Sequence, residues 1–243
     1  MDEVLRVAGL SKNFGAIRVS DGLDFELRLG ECLGVIGPNG AGKSSMLNLI
    51  VGQLKPDAGS IKLDGHEITG LSPHRRVRLG IGRAFQIPQP FAHLTVYENV
   101  MVLAIYGGGL HGAAASDWAM DVLRRTSLDG KADRVAGAVP LIDRKRLEFA
   151  KALASKPRLV LLDEIAAGLT EPEVEQLIEV IASVKADHAT IWIEHIPHAL
   201  RAVADRILVL DFGRKVLDGP PDEVMESRTV REIYMGLAAD DVA

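Results

Sequence analysis

One short glycine-rich stretch, residues 37–45, carries the residues best suited to chemistry. It fits the pattern G-x-x-x-x-G-K-[ST], follows an apolar strand-like run and precedes a helix-like run. Glycines let the backbone turn tightly and present successive N–H groups to a phosphate, and a helix N-terminus adds positive partial charge. Lys43 can reach terminal phosphates, and the Ser44 hydroxyl can ligate Mg²⁺. The stretch therefore predicts a phosphate site formed by Gly37, Pro38, Asn39, Gly40, Ala41, Gly42, Lys43, Ser44 and Ser45.

A second group of reactive side chains follows two later strand-like runs. The apolar residues 159–162 end in Asp163 and Glu164. Asp163 can hold Mg²⁺ through water, and Glu164 can polarise a water molecule for attack on a γ-phosphate. The same pattern also fits an acidic turn after a core strand, but the upstream phosphate loop favours chemistry. The next strand ends at His195, which could lie near the γ-phosphate because ligands bind at the carboxyl ends of parallel strands.

The elements that must position these residues follow an interrupted strand–helix alternation. Strands are predicted over residues 4–10, 19–29, 32–36, 60–63 and 81–85, and the last of them ends at Gln86. Residues 93–155 read as helical, with helices that begin at Thr95, at an N-cap Ser116 and near residue 144. We therefore expect an α/β core over residues 1–92 and 156–227, an inserted helical subdomain over 93–155 and a C-terminal segment over 228–243.

The composition limits the classes of function. The 243 residues carry a net charge of −5, which argues against a broad basic surface for nucleic acid. The single cysteine, Cys32, excludes an internal disulfide and reads as a small core residue. The acidic N-terminus lacks a signal-peptide pattern, and no apolar stretch is long enough to cross a bilayer. We expect a cytoplasmic protein whose membrane part, if it has one, belongs to another chain.

Two smaller features allow more than one interpretation. Arg75, Arg76 and Arg78 follow a helix start at Ser72-Pro73, and we expect a solvated helix face rather than a binding patch. Phe14 stands alone in a polar turn predicted between the first two strands. It fits either a core plug or a flat surface on which an adenine ring stacks.

Together these motifs resemble the ATP-binding subunit of an ABC transporter, over nearly the full chain. The resemblance implies a P-loop NTPase (RecA-like) core with an antiparallel β subdomain, and it implies ATP and Mg²⁺ as cofactors. It assigns Phe14 to adenine stacking, Gln86 to Mg²⁺ and the attacking water, Glu164 to catalysis, and His195 to the switch position. Ser44 and Asp163 become the other Mg²⁺ residues. The resemblance to the branched-chain amino-acid type of importer rests on three phrases: residues 85–86 with 94–100, residues 166–169, and residues 193–195 with 210–213.

The resemblance also implies partners and a location. Transmembrane permease subunits and a second ATP-binding subunit are expected, and an external solute-binding protein is a possible third partner. The chain would then lie in the cytoplasm, peripheral on the inner face of the cell membrane. No nucleic acid is expected.

One motif departs from the family. The signature Leu-Ser-Gly-Gly-Gln is replaced by residues 139–143, Val-Pro-Leu-Ile-Asp. The serine hydroxyl and both glycines are missing, and Asp143 is expected to place negative charge where a γ-phosphate of the partner's ATP would arrive, while serving as a helix N-cap. We therefore expect a heterodimer with an ATPase subunit whose signature is intact. The alternatives are a regulatory nucleotide-binding module with little turnover and a soluble ABC ATPase that acts on DNA or ribosomes.

Overall fold

Two β-sheets and a helical insertion make up the part of the chain that the computed structural model describes, residues 2–235. The strands are β1 (Glu3–Phe14), β2 (Ile17–Arg28), β3 (Cys32–Ile36), β4 (Ala58–Leu63), β5 (His66–Glu67), β6 (Ile81–Ala84), β7 (Leu159–Asp163), β8 (Ala189–Ile193), β9 (Arg206–Asp211) and β10 (Arg214–Gly219). The helices are α1 (Lys43–Val51), α2 (Pro73–Arg78), α3 (Val96–Tyr106), α4 (Gly112–Arg125), α5 (Leu141–Ala154), α6 (Glu171–Val184), α7 (Pro197–Val203), α8 (Pro221–Glu226) and α9 (Arg228–Met235). The predicted α/β fold is confirmed.

The larger sheet brings the reactive loops to one edge. Its strand order is β10-β9-β3-β8-β7-β6, and every pair from β9 to β6 is parallel. The carboxyl ends of parallel strands meet at the same edge, so the loops after β3, β6, β7 and β8 become neighbours. Those four loops carry the phosphate-loop residues, Gln86, Glu164 and His195.

This sheet is buried on both faces, as its apolar strands require. Side chains alternate along a strand, so Val160 and Leu162 of β7 join one core cluster with α5 and α6. Leu159 and Leu161 join the other cluster, which contains α1 and the smaller sheet. The reactive strand tips therefore project from a rigid layer between two cores.

The smaller sheet, β2-β1-β4-β5, is antiparallel, and its first hairpin is longer than predicted. Phe14 pairs with Ile17, so the polar residues expected in the turn continue the β1–β2 ladder. Asp57 holds this end of β1, since its carboxylate accepts hydrogen bonds from the Lys12 ammonium (2.8 Å) and the Asn13 N–H (2.8 Å). The hairpin turn predicted at Asp64-Gly65 is confirmed between β4 and β5.

The inserted helices start at positions that differ from two of the three predictions. Thr95 does cap α3 through a capping box with Glu98. The prediction of Ser116 as an N-cap is wrong, because α4 already begins at Gly112 and Ser116 instead accepts a hydrogen bond from the Tyr97 hydroxyl at 2.9 Å. Helix α5 begins at Leu141, so Asp143 lies inside its first turn, and the prediction that it caps this helix is also wrong.

The prediction of a solvated arginine face on α2 is wrong for Arg76. Its side chain is buried, while Arg75 and Arg78 are exposed. The Arg76 guanidinium donates to four backbone carbonyls, those of Leu49, Ile50, Thr69 and Leu71, at 2.7–3.0 Å. Arg76 therefore joins the last turn of α1 to the segment that leads into α2. The local charge pattern does not predict this role.

Replacing Arg76 with methionine should destabilise the fold by about 3 kcal/mol, because buried carbonyl groups lose a charged donor. Arg75→Met, on the same helix but exposed, should cost less than about 0.5 kcal/mol. Urea denaturation of the two purified variants measures both values. Equal midpoints for the two variants would show that the Arg76 contacts do not stabilise the protein.

Candidate nucleotide site

The loop between β3 and α1 contains three glycines with positive φ, and two of them leave no room for a side chain. Gly37, Gly40 and Gly42 have φ angles of 152°, 84° and 100°. A Cβ atom on Gly37 would lie 2.1 Å from the Leu210 carbonyl oxygen, and one on Gly42 would lie 2.2 Å from the Val19 carbonyl oxygen. Tertiary packing therefore requires glycine at both positions, in addition to any close approach of a phosphate.

Lys43 begins α1 and folds back over this loop. Its side chain is buried, and Nζ donates hydrogen bonds to the carbonyls of Gly37 (2.6 Å) and Pro38 (3.0 Å). Burial lowers the pKa of Lys43, and the negative charges of Glu164 and Asp163 oppose that shift. The ammonium is thus held beside the first turn of α1, where backbone N–H groups lack intrahelical acceptors. Ser44, in the same turn, is exposed.

Three predicted catalytic residues from three different strands meet at one carboxylate. Glu164 follows β7 with a left-handed backbone (φ 47°), and its N–H donates to the Ile193 carbonyl at 2.9 Å. Its Oε2 accepts a hydrogen bond from Gln86 Nε2 at 2.6 Å. Its Oε1 lies 3.0 Å from His195 Nε2. The structure therefore brings together Gln86, Glu164 and His195, which lie up to 109 residues apart in the sequence.

A buried glutamate to which the sequence analysis assigned no role connects two of the loops. Glu194 precedes His195, and its carboxylate accepts hydrogen bonds from the N–H groups of His195 (2.8 Å) and Ala166 (3.2 Å). Burial raises the pKa of Glu194, and the two backbone N–H groups oppose the shift. The side chain therefore fixes the loop after Glu164 to the segment that carries His195. An acidic residue at the end of an apolar strand was the signal available in the sequence.

Arg83 is a second residue that the sequence analysis missed. It lies in β6, and its Nη2 donates to Asp163 Oδ2 at 2.7 Å. Both side chains are about nine-tenths buried. Arg83 was detectable as a charged residue within a short apolar strand, but no local pattern names its partner, which is 80 residues away.

Phe14 lies on the surface near the phosphate loop. Its ring is 48% exposed, so the interpretation as a core plug is wrong. The Lys12 ammonium lies 5.6 Å from the ring centroid. The same strand pair reaches the loop at Val19, whose carbonyl faces Gly42. Adenine stacking on Phe14 is compatible with this placement and stays a prediction.

Residues 139–143, which are predicted to replace the signature, present apolar side chains at the start of α5. Leu141 is 42% exposed, and Ile142 is half-buried. Asp143 is fully buried, 2.5 Å from the Lys131 ammonium and 3.9 Å from the Arg146 guanidinium. The expectation that Asp143 displays negative charge at this tip is therefore wrong, because the helix turns the carboxylate inward onto cations. Residues 139–143 contain neither serine nor glycine, and the loss of the signature stays a prediction.

The chemistry of the donors fits Mg²⁺ and a triphosphate. Hard cations take oxygen ligands, and Ser44 and Asp163 offer a hydroxyl and a carboxylate. Gln86 adds an amide oxygen, since its Nε2 is engaged with Glu164. Gly42 places its neighbours' N–H groups at the start of α1, where Lys43 adds positive charge. This combination matches a phosphate chain with a bound cation.

Comparison with known proteins identifies the family to which this chain belongs. The family model described as ABC transporter matches residues 20–167. The chain therefore belongs to the ABC transporter family, and it is an ATPase of that family. Over the part that the structure describes, no helix is both long and apolar enough to cross a membrane.

Relatives that match over nearly their full length are ATP-binding proteins of branched-chain amino acid transport. The high-affinity branched-chain amino acid transport ATP-binding protein BraF of Pseudomonas aeruginosa is 32% identical, over 97% of this chain and 98% of its own. LivG of Salmonella typhimurium, which carries the same description, is 34% identical over the same shares. The crystal structure of the ADP conformation of MJ1267, an ATP-binding cassette of an ABC transporter, superposes with a TM-score of 0.87 at 27% identity, covering 98% and 100% of the two chains. The predicted resemblance to the branched-chain type is confirmed.

Replacing Phe14 with alanine should weaken ATP binding about 5- to 150-fold, because stacking of a base on an aromatic ring contributes roughly 1–3 kcal/mol. Phe14→Trp should keep the affinity. Ile17→Ala removes the exposed apolar side chain that pairs with Phe14 across the hairpin, so it serves as the matched control. Titration with a fluorescent ATP analogue checks the three variants. Equal losses for the Phe14 and Ile17 alanine variants would argue against stacking.

Proposed function

We propose that this chain is the ATP-hydrolysing subunit of an importer for branched-chain amino acids or related small organic solutes. The observation that carries the proposal is the meeting of Gln86 and His195 on the Glu164 carboxylate beside the phosphate loop. The full-length likeness to BraF and LivG supports the solute class. Transmembrane permease subunits would convert ATP-driven changes in this chain into transport. The chain would then lie at the inner face of the cell membrane. An external solute-binding protein would deliver the solute.

The proposed mechanism divides the work between charge neutralisation and water activation. Lys43 and the first N–H groups of α1 neutralise the terminal phosphates. Glu164 accepts the proton of the attacking water, while the Gln86 amide and the His195 ring fix its carboxylate in orientation. Ser44, Gln86 and Asp163 would hold Mg²⁺, which supplies charge neutralisation between the phosphates when bound.

We further propose that the second ATP-binding subunit is a different chain. In a sandwich dimer each ATP lies between one chain's phosphate loop and the other chain's signature. This chain keeps the phosphate loop and Glu164, but apolar Leu141 and Ile142 stand where a hydroxyl and glycine backbone would meet phosphate. A homodimer would therefore pair two good phosphate loops with two poor signatures. A heterodimer would have one competent site, built from this chain's Glu164 and the partner's signature.

Replacing Glu164 with glutamine should reduce ATP turnover of the assembled transporter at least about 100-fold, because the amide cannot accept the proton of water. Binding of MgATP should persist, since the phosphate loop is unchanged. Phosphate release and nucleotide binding measure the two effects, and solute uptake into vesicles should fall with turnover. If uptake stayed at the wild-type rate, the regulatory module with little turnover would be the better description.

The heterodimer is tested by mixing purified subunits. This chain alone should hydrolyse ATP at least tenfold more slowly than an equimolar mixture with the second ATPase subunit isolated with its transporter. The reason is that only the mixture joins this chain's Glu164 to an intact signature. A partner whose signature serine is replaced by alanine is the matched control and should restore the slow rate. Brisk hydrolysis by this chain alone would contradict the heterodimer.

A further inference from the structure

We propose that Arg83 is a positioning residue for the Mg²⁺ site: its guanidinium holds Asp163 by one carboxylate oxygen and leaves the other for the metal. This inference rests on the proposed function, because it concerns the cation that accompanies ATP. Nη2 donates to Asp163 Oδ2 at 2.7 Å. Among residues 2–235, no hydrogen bond to Asp163 Oδ1 is present.

The guanidinium is itself fixed by groups behind the phosphate loop. Nη1 donates to Asn48 Oδ1 on α1 at 2.7 Å and to Gln53 Oε1 at 3.1 Å. The Phe85 ring lies against the guanidinium, 4.7 Å from centroid to Cζ. A planar fork with two donor arms can join α1 to the tip of β7, whereas the point charge of a lysine cannot reproduce both directions.

The pairing leaves Asp163 and Lys43 with separate partners. Arg83 satisfies the buried Asp163 carboxylate. Lys43 contacts the carbonyls of Gly37 and Pro38 in the phosphate loop.

Stability alone is a weak reason for this arrangement. A buried ion pair often contributes no more stability than apolar residues of similar volume. Arg83 Nε is also buried without a hydrogen-bond partner within the described part of the chain, which costs free energy. A role in orienting Asp163 explains why a charged fork lies in a strand whose other members are glycine and apolar residues.

Two effects of removing Arg83 have opposite signs. Loss of its positive charge would favour a cation by Coulomb's law, while loss of orientation would disfavour it. We expect orientation to dominate, because changing a partner that orients a metal ligand commonly costs 10- to 100-fold in metal affinity. The sign of the change in Mg²⁺ affinity therefore separates positioning from simple charge repulsion.

The test is a Mg²⁺ titration of ATP binding by the full-length chain, read by calorimetry, together with ATP binding in EDTA. For Arg83→Met the Mg²⁺ concentration at half-saturation should rise about tenfold, with ATP binding in EDTA within about twofold of wild type. Arg83→Lys should recover part of the loss. Arg75→Met, the same change at an exposed site, should match wild type.

The proposal would be overturned if Arg83→Met left the Mg²⁺ concentration at half-saturation unchanged or lowered it. It would also be overturned if ATP binding in EDTA weakened as much as ATP binding in Mg²⁺. In an Asp163→Asn background, Arg83→Met should shift the half-saturation less than about twofold, since Arg83 acts through that carboxylate. If Arg83→Met does not fold, the double variant Asn48→Ala and Gln53→Ala, which removes both acceptors of Nη1, should still raise the Mg²⁺ concentration at half-saturation, and no rise would overturn the proposal. Failure of wild type to bind MgATP would refute the proposed function instead.

Discussion

The contact on which the site depends is the meeting of Gln86 and His195 on the carboxylate of Glu164. Three loops must end at the same place for this contact to form, and only the parallel order β8-β7-β6 puts them there. The left-handed backbone of Glu164 turns its side chain out of the buried strand that precedes it. The predicted catalytic groups are therefore positioned by the sheet, and each loop contributes one side chain.

Charged side chains of both signs surround this contact. Lys43 and Arg83 supply the positive charges, and Asp163 and Glu164 supply the negative charges. Glu194 is a third acid, held by two backbone N–H groups rather than by a cation. Because each charge has a defined partner, a bound triphosphate would enter a preorganised field. Glu194 links the loop after β7 to His195. Arg83 links the end of β7 to helix α1.

Features that depend on tertiary partners escaped sequence reasoning. Arg76 belongs to a basic run that reads as solvated, yet it fills a pocket lined by carbonyls from α1. Asp143 was expected at a helix tip, but α5 begins two residues earlier and turns it onto Lys131. In both cases a charged residue is buried because a complementary group arrives from elsewhere in the chain. No local pattern contains that information.

The sequence by itself determined the phosphate loop, the acidic strand tip, the α/β class and the family, because these depend on residue types at fixed short spacing. It also determined that residues 139–143, which contain neither serine nor glycine, lead into the helix that begins near residue 144 in the prediction. Only the tertiary structure decided that Glu164 has Gln86 and His195 as partners, that Asp163 is held by Arg83, and that Phe14 lies on the surface. Those outcomes depend on strand order and packing between distant segments, which short-range patterns do not encode.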